Sequence, residues 1–180
     1  MKIRQAGLTL IELLIVVSLV ALLASLAVPS FRSLLVNRTV QAAADALISD
    51  MRYARSEAVK RSARVSICQS ASGTSCATGS NVWVSGWIVF VDANVNGTVD
   101  VGDEILRVQQ PLTSMASIAS TIPSNDRRFF TYEPTGWAKS ASQTFFFTPG
   151  GRVPLNSVRL VCVSNQGRPG LKAVGATTCT

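Results

Sequence analysis

Residues 7–31 read GLTLIELLIVVSLVALLASLAVPSF, and the reading of this stretch decides the fold. Residues 8–28 are almost unbroken apolar sequence, interrupted near the start by Glu12 and closed by Pro29. At about 1.5 Å per residue such a helix crosses a hydrocarbon core of about 30 Å. A short basic leader, residues 1–7 with Lys2 and Arg4, precedes it. A plain one-pass anchor accounts for the length and the basic flank. It leaves Glu12 unexplained, because an unpaired acid within a membrane costs at least about 2.5 kcal/mol. A secretory signal peptide also has a basic start and an apolar run, and Ala24-Ser25-Leu26-Ala27 would be its cleavage site. Its apolar region is usually shorter than the one here.

Beyond Pro29 the pattern turns amphipathic. Apolar or small residues recur at Phe31, Leu34, Leu35, Ala42, Ala46, Leu47, Met51, Ala54 and Ala58, the three–four spacing of one helix face. Residues 8–62 are therefore expected to form one helix of about 80 Å. Residues 8–30 are apolar all round, and residues 31–62 have a single face to cover. That face needs a folded partner, and residues 63–180 supply β-type sequence. Strands are expected over 64–69, 81–91, 104–109, 129–133, 144–148, 158–163 and near 171–174, separated by Gly, Pro and Asn turn signals. Residues 110–126 lack a pattern and read as loop. Short antiparallel strands of this kind pack one sheet on the helix and stack a second. The fold class is α+β, with a leader at 1–7, a helix at 8–62 and a globular β region at 63–180.

The net charge is +7, and a cleaved leader would take two of those positive charges with it. A basic balance of this size suits anionic lipid or nucleic acid partners. Cys68, Cys76, Cys162 and Cys179 all lie beyond the apolar segment, on the side expected to be exported, where disulfides form. Four cysteines allow three pairings; the economical one joins Cys68 to Cys76 and Cys162 to Cys179. Their spacings suit zinc poorly.

The set Gly7, Thr9, Leu10, Ile11, Glu12, Leu13 and Pro29 resembles the class III signal of type IV pilins and type II secretion pseudopilins. The resemblance implies cleavage by prepilin peptidase after Gly7 and methylation of the new N-terminus at Leu8. It also implies that Glu12 pairs with the N-terminal ammonium of a neighbouring subunit in the filament. Leu8 stands where phenylalanine is usual, and Ala21 where many pilins carry a helix-loosening glycine. Further on, Gly86-Trp87-Ile88-Val89-Phe90-Val91-Asp92, Ile105-Leu106-Arg107 and Phe147-x-Pro149-x-Gly151 resemble the domain shared by FimT/FimU-type minor pilins and H-type pseudopilins. The implied fold is pilin-like, a long N-terminal helix packed on a C-terminal antiparallel β-sheet domain. The implied function is that of a minor pilin, a structural subunit incorporated into a pilus or priming its assembly. An H-type minor pseudopilin of type II secretion and a pilus-borne DNA receptor for natural transformation are the alternatives. Implied partners are other pilins or pseudopilins through the N-terminal helix, the peptidase, and the inner membrane before assembly. The globular part would lie in the periplasm.

Chemistry has few candidates. The chain has no histidine, which excludes Ser-His and Cys-His nucleophile pairs, and no enzyme activity is expected. Asp92, Asn94, Asn96, Asp100 and Asp103, with Gly97, match much of a calcium loop. An Asn-Gly hairpin turn explains the same residues without metal, so no cofactor is expected unless calcium binds. Residues 163–172, VSNQGRPGLK, resemble the C-terminal GRxR loop by which FimT-type pilins bind DNA. Gly167 and Arg168 match, Gly170 replaces the second arginine, and Lys172 follows two residues later. Arg168 and Lys172, assisted by Arg152 and Arg159, are the candidate phosphate contacts.

Overall fold

The computed structural model describes residues 9–78, 83–121, 129–139, 142–151 and 157–179, the side chains of residues 26–29 excepted. One helix, α1, runs over Leu10–Arg61 without a break. Its last turn carries Lys60 and Arg61, where positive charge favours the helix dipole. Ser62 then turns left-handed, at φ 51°, and the Ala63 amide donates back to the Ala58 carbonyl, which closes the helix. The chain divides into two compact units, Met1–Leu35 and Val36–Thr180.

In the first unit α1 exposes Leu10, Leu13, Leu14, Val17 and their neighbours on every side. In the second unit the helix has one buried face: Val40, Ala43, Ala44, Leu47, Ile48, Met51, Ala54 and Ala58. That face differs in part from the expected stripe. Ala42 is exposed and Ala46 half-buried, while Val40, Ala43, Ala44 and Ile48 join the core. Several small residues fit the helical spacing on more than one face, so the stripe drifts when read from sequence.

Among the described residues, nine strands form two antiparallel sheets. β1 (Val65–Gln69), β2 (Trp87–Val91), β3 (Ile105–Gln109), β5 (Phe129–Tyr132) and β6 (Ala138–Lys139) form the first, in the order β3-β2-β1-β5-β6. β4 (Met115–Ser120), β7 (Gln143–Pro149), β8 (Arg159–Val163) and β9 (Pro169–Leu171) form the second, in the order β4-β7-β8-β9. Alternation sorts the faces. Val65, Ile67, Val89, Phe130 and Tyr132 of the first sheet, and Phe145, Phe147, Val161 and Val163 of the second, share one core with α1. Trp83 sits in it, edge-on to Phe145 at 5.2 Å. The opposite face of the first sheet buries Cys68, Ile88 and Phe90 under Cys76 and Val99. β1 is therefore buried along its whole length.

Three expectations are corrected. Residues 81–91 are not one strand, because a 3-10 turn at Trp83–Ser85 precedes β2. Gly86 separates the two at φ +102°, where a Cβ would lie 2.2 Å from the Gln109 carbonyl oxygen. Residues 110–126 are not all loop, since they contain β4. A bulge between Met115 and Ser117 puts Met115 and Ile118, three apart, on the buried side, which erases the period of two. The last strand is Pro169–Leu171, earlier than the expected 171–174, as an edge strand where proline needs no ladder donor.

Candidate assembly and binding surfaces

At the start of α1, Thr9 and Glu12 form a reciprocal cap. The Thr9 amide and hydroxyl both donate to Glu12 Oε2 at 3.3 Å, and the Glu12 amide donates to Thr9 Oγ1 at 3.3 Å. This is the capping-box geometry of Ser/Thr-x-x-Glu, which satisfies amides that begin a helix. Negative charge is also favoured there by the helix dipole. The carboxylate is exposed among exposed apolar residues, and Oε1 has no hydrogen-bond partner among the described residues. Gly7 and Leu8, the expected processing site, lie outside the described residues. α1 is long and apolar enough to cross a membrane.

The C-terminal hairpin holds the candidate phosphate contacts, and it does not gather them in one place. The turn at 164–168 closes by a Gly167 amide bond to the Ser164 carbonyl and an Arg168 amide bond to Ser164 Oγ. Tyr132 of the first sheet donates its hydroxyl to the Gly167 carbonyl at 2.7 Å. A Cβ at Gly167, φ +74°, would lie 2.3 Å from Ala138 Cβ, so glycine there has a packing cause of its own. Arg168 is exposed beside it. Lys172 donates its amide to Leu160, which places it on the outer face of β8–β9. Arg159 lies two and four residues before the core residues Val161 and Val163, and so shares their inner face, opposite to Lys172. Its Nε is shielded from solvent. Arg152 lies outside the described residues.

Disulfides hold both regions. Cys68–Cys76 closes the loop after β1, and Cys162–Cys179 ties the last residues to β8. Thr144 Oγ1 lies 2.9 Å from Cys179 Sγ, so the tail crosses the outer face of the second sheet.

The β2–β3 loop satisfies its own polar groups. Asp92 is buried and accepts from the Ser66 hydroxyl at 2.7 Å and from the Asn96 and Gly97 amides. Asn94 and Asn96 both turn Nδ2 toward Asp100 Oδ2, at 2.8 and 2.7 Å. Their Oδ1 atoms accept backbone amides within the loop. Asp103 accepts the Asp100 amide. The candidate oxygens thus serve the turn, and among the described residues no group of three or more acids, histidines or cysteines is placed to hold a metal.

One polar site had no place in the sequence reading. Asp50, buried on α1, accepts from Trp87 Nε1 at 2.8 Å and from Arg107 Nη1 at 2.7 Å, while Arg107 stacks 4.0 Å over Tyr53. The sequence signal was a lone acid between Leu47 and Met51, on the apolar stripe.

Comparison with known proteins matches two family models to this chain: Type II transport protein GspH over residues 43–167, and the prokaryotic N-terminal methylation motif over residues 2–28. The pilin-like protein PilA1 of Thermus thermophilus is 31% identical, over 93% of this chain and 99% of that protein. Among solved structures, the type IV minor pilin FimU of Pseudomonas aeruginosa superposes in two crystal forms. The TM-scores are 0.57 and 0.55, at 22% and 23% identity, covering 78% of this chain and 95% and 99% of those. At that identity the likeness is one of fold.

Proposed function

Since this chain belongs to the GspH family of type IV minor pilins and pseudopilins, a family of structural subunits and not of enzymes, we propose that it is incorporated into a type IV pilus or primes its assembly. The observation that carries the reading is the first unit of α1. It is apolar on every side, exposed in the single chain, and opens on one capped carboxylate, Glu12. An all-round apolar helix needs either lipid or other helices around it. The chain would first sit in the inner membrane with its disulfide-bonded part in the periplasm, then pass into a filament. Prepilin peptidase would cut between Gly7 and Leu8, and Glu12 would meet the freed ammonium of a neighbour.

The test is recovery of the chain in sheared filaments, with mass spectrometry showing N-methylated Leu8 as the first residue. Absence from filaments, or a mature terminus near Ala27, overturns the reading. The GspH family match favours a second reading, a minor pseudopilin of type II secretion. Deletion that abolishes protein secretion and spares pili would select it. A DNA-contacting role rests on the exposed Arg168 turn and belongs to the pilus reading.

A further inference from the structure

The turn that joins β5 to β6 lies between α1 and the C-terminal hairpin and meets both. A Cβ at Gly136 would lie 3.2 Å from Val59 Cγ2 and 3.3 Å from Arg55 Nε, so α1 covers that end of the turn. Two residues on, Ala138 lies against Gly167, beside Arg168. The Cα atoms of Gly136 and Ala138 are at most about 7.6 Å apart. Tyr132 spans the same gap from beneath. Its hydroxyl holds the Gly167 carbonyl; burial raises its phenol above the ordinary value, and the nearby charge of Arg55 opposes that rise. Trp137 stands between the two ends with 58% of its surface exposed. Lys139, also exposed, falls on the same side of the strand as Trp137, because Ala138 between them faces inward.

Three elements thus bring Arg55, Lys139 and Arg168 around one exposed indole. None of the three cations enters an ion pair among the described residues. Glu133, across the turn, is already held by Arg64 at 3.0 Å. Trp83 and Trp87 are buried, so Trp137 is the one indole of three that a ligand can reach. Uncompensated cations around a flat aromatic surface match a polyanion that carries flat rings of its own. We propose that this surface binds single-stranded nucleic acid, with Trp137 stacking on an unpaired base and Arg55, Lys139 and Arg168 meeting its phosphates. In a duplex the bases are paired and stacked on one another, so the indole gains nothing there. In a single strand every base offers a face, and stacking tolerates any sequence. An acidic protein surface would answer the cations but offers no row of planes to the indole. The inference rests on the DNA-contacting reading of the Arg168 turn, and adds to it a strand preference and the residues that confer it.

The experiment uses the full-length chain in nonionic detergent, with a labelled oligothymidylate and a duplex of equal length as probes. Fluorescence anisotropy should show the single strand bound about tenfold more tightly than the duplex, the effect of one stacked base. Trp137→Ala should remove that preference, and Trp137→Phe should keep most of it. Arg55→Gln should make the salt slope for the single strand shallower by about 0.7, one phosphate. The single strand should also quench the emission of Trp137, and that quenching should vanish in Trp137→Phe. Unfolding midpoints check that the variants fold. Equal affinity for the two probes, or a preference that survives Trp137→Ala, overturns the proposal and leaves the Arg168 contact standing. No binding of either probe removes both. Oligothymidylate binding that is indifferent to Trp137 and Arg55, with Trp137→Ala excluded from filaments, would assign the surface to a protein partner and also overturn the proposal.

Discussion

The indole of Trp87 on β2 donates at 2.8 Å to the carboxylate of Asp50, an acid set within the buried face of α1. The second carboxylate oxygen accepts from Arg107 on β3, so one side chain fastens the helix to two strands. Asp50→Ala leaves the buried indole N–H and the guanidinium without their acceptor. A loss of about 1–3 kcal/mol is expected, read by denaturant unfolding. Asp50→Asn keeps an acceptor for Trp87 and should lose less; equal losses would refute the shared role.

Glu12→Ala removes the carboxylate and half of the cap on Thr9. Membrane insertion should persist, because the apolar run is untouched. Incorporation should fail, since an ammonium left unpaired in an apolar filament core costs several kcal/mol. Immunoblots of membranes and sheared filaments check both, and normal incorporation of the variant would remove Glu12 from the assembly role.

Cys162→Ser with Cys179→Ser frees the tail from β8. The bridge spans 17 residues of sequence, and a loop of that size is worth about 3 kcal/mol in the chain-entropy account. The paired variant should unfold at correspondingly lower denaturant. Cys68→Ser with Cys76→Ser opens a shorter loop, separation 8, and should lose less.

Acid should weaken the fold through two carboxylates on the Arg61 side of the domain. A hydrogen bond from Arg61 holds Glu57 below its ordinary value of 4.5, and bonds from Asn94 and Asn96 hold Asp100 below 3.8. Both folded values are depressed, so their contribution is complete above the ordinary values and is lost as pH falls through the folded ones. Melting temperature should stay level from neutral pH down to about 5 and drop below about 4. Glu57→Gln with Asp100→Asn should flatten that drop; an unaltered slope would place the acid sensitivity elsewhere.

The long helix was legible because an apolar run and a helical repeat announce it over many turns, and β1, β2, β3, β5, β7 and β8 because valines and aromatics alternate between turn signals. β4 was not, since its bulge puts Met115 and Ile118 inward at a spacing that is not two. The Asp50–Trp87–Arg107 contact joins residues 37 and 57 positions apart, which local pattern does not encode. The reverse holds for the C-terminal hairpin. Sequence set Arg159 beside Lys172, and alternation across β8 divides them between two faces.

That division shapes the expectation for DNA. Arg168, exposed at the turn, and Lys172, on the outer face, are four residues apart, about 13 Å of extended chain. Contacts from these two side chains would neutralise about two phosphates, so log affinity should fall with log salt at a slope near about −1.8. Binding by one copy should be weak, about 10⁻⁴ to 10⁻⁶ M at physiological salt, and indifferent to sequence. Gel shifts by a chain starting at Val36, where the second compact unit begins, read both quantities. Arg168→Ala with Lys172→Ala should abolish the shift, whereas Arg159→Ala, on the inner face, should leave it. Gly170 has no atom within 4 Å of an added Cβ and no left-handed φ, so Gly170→Arg should be accommodated and should steepen the slope by about one phosphate. A shift lost with Arg159→Ala and kept without Arg168 and Lys172 would move the contact to the other face of β8. No shift at low salt would leave the chain a structural subunit without a DNA role.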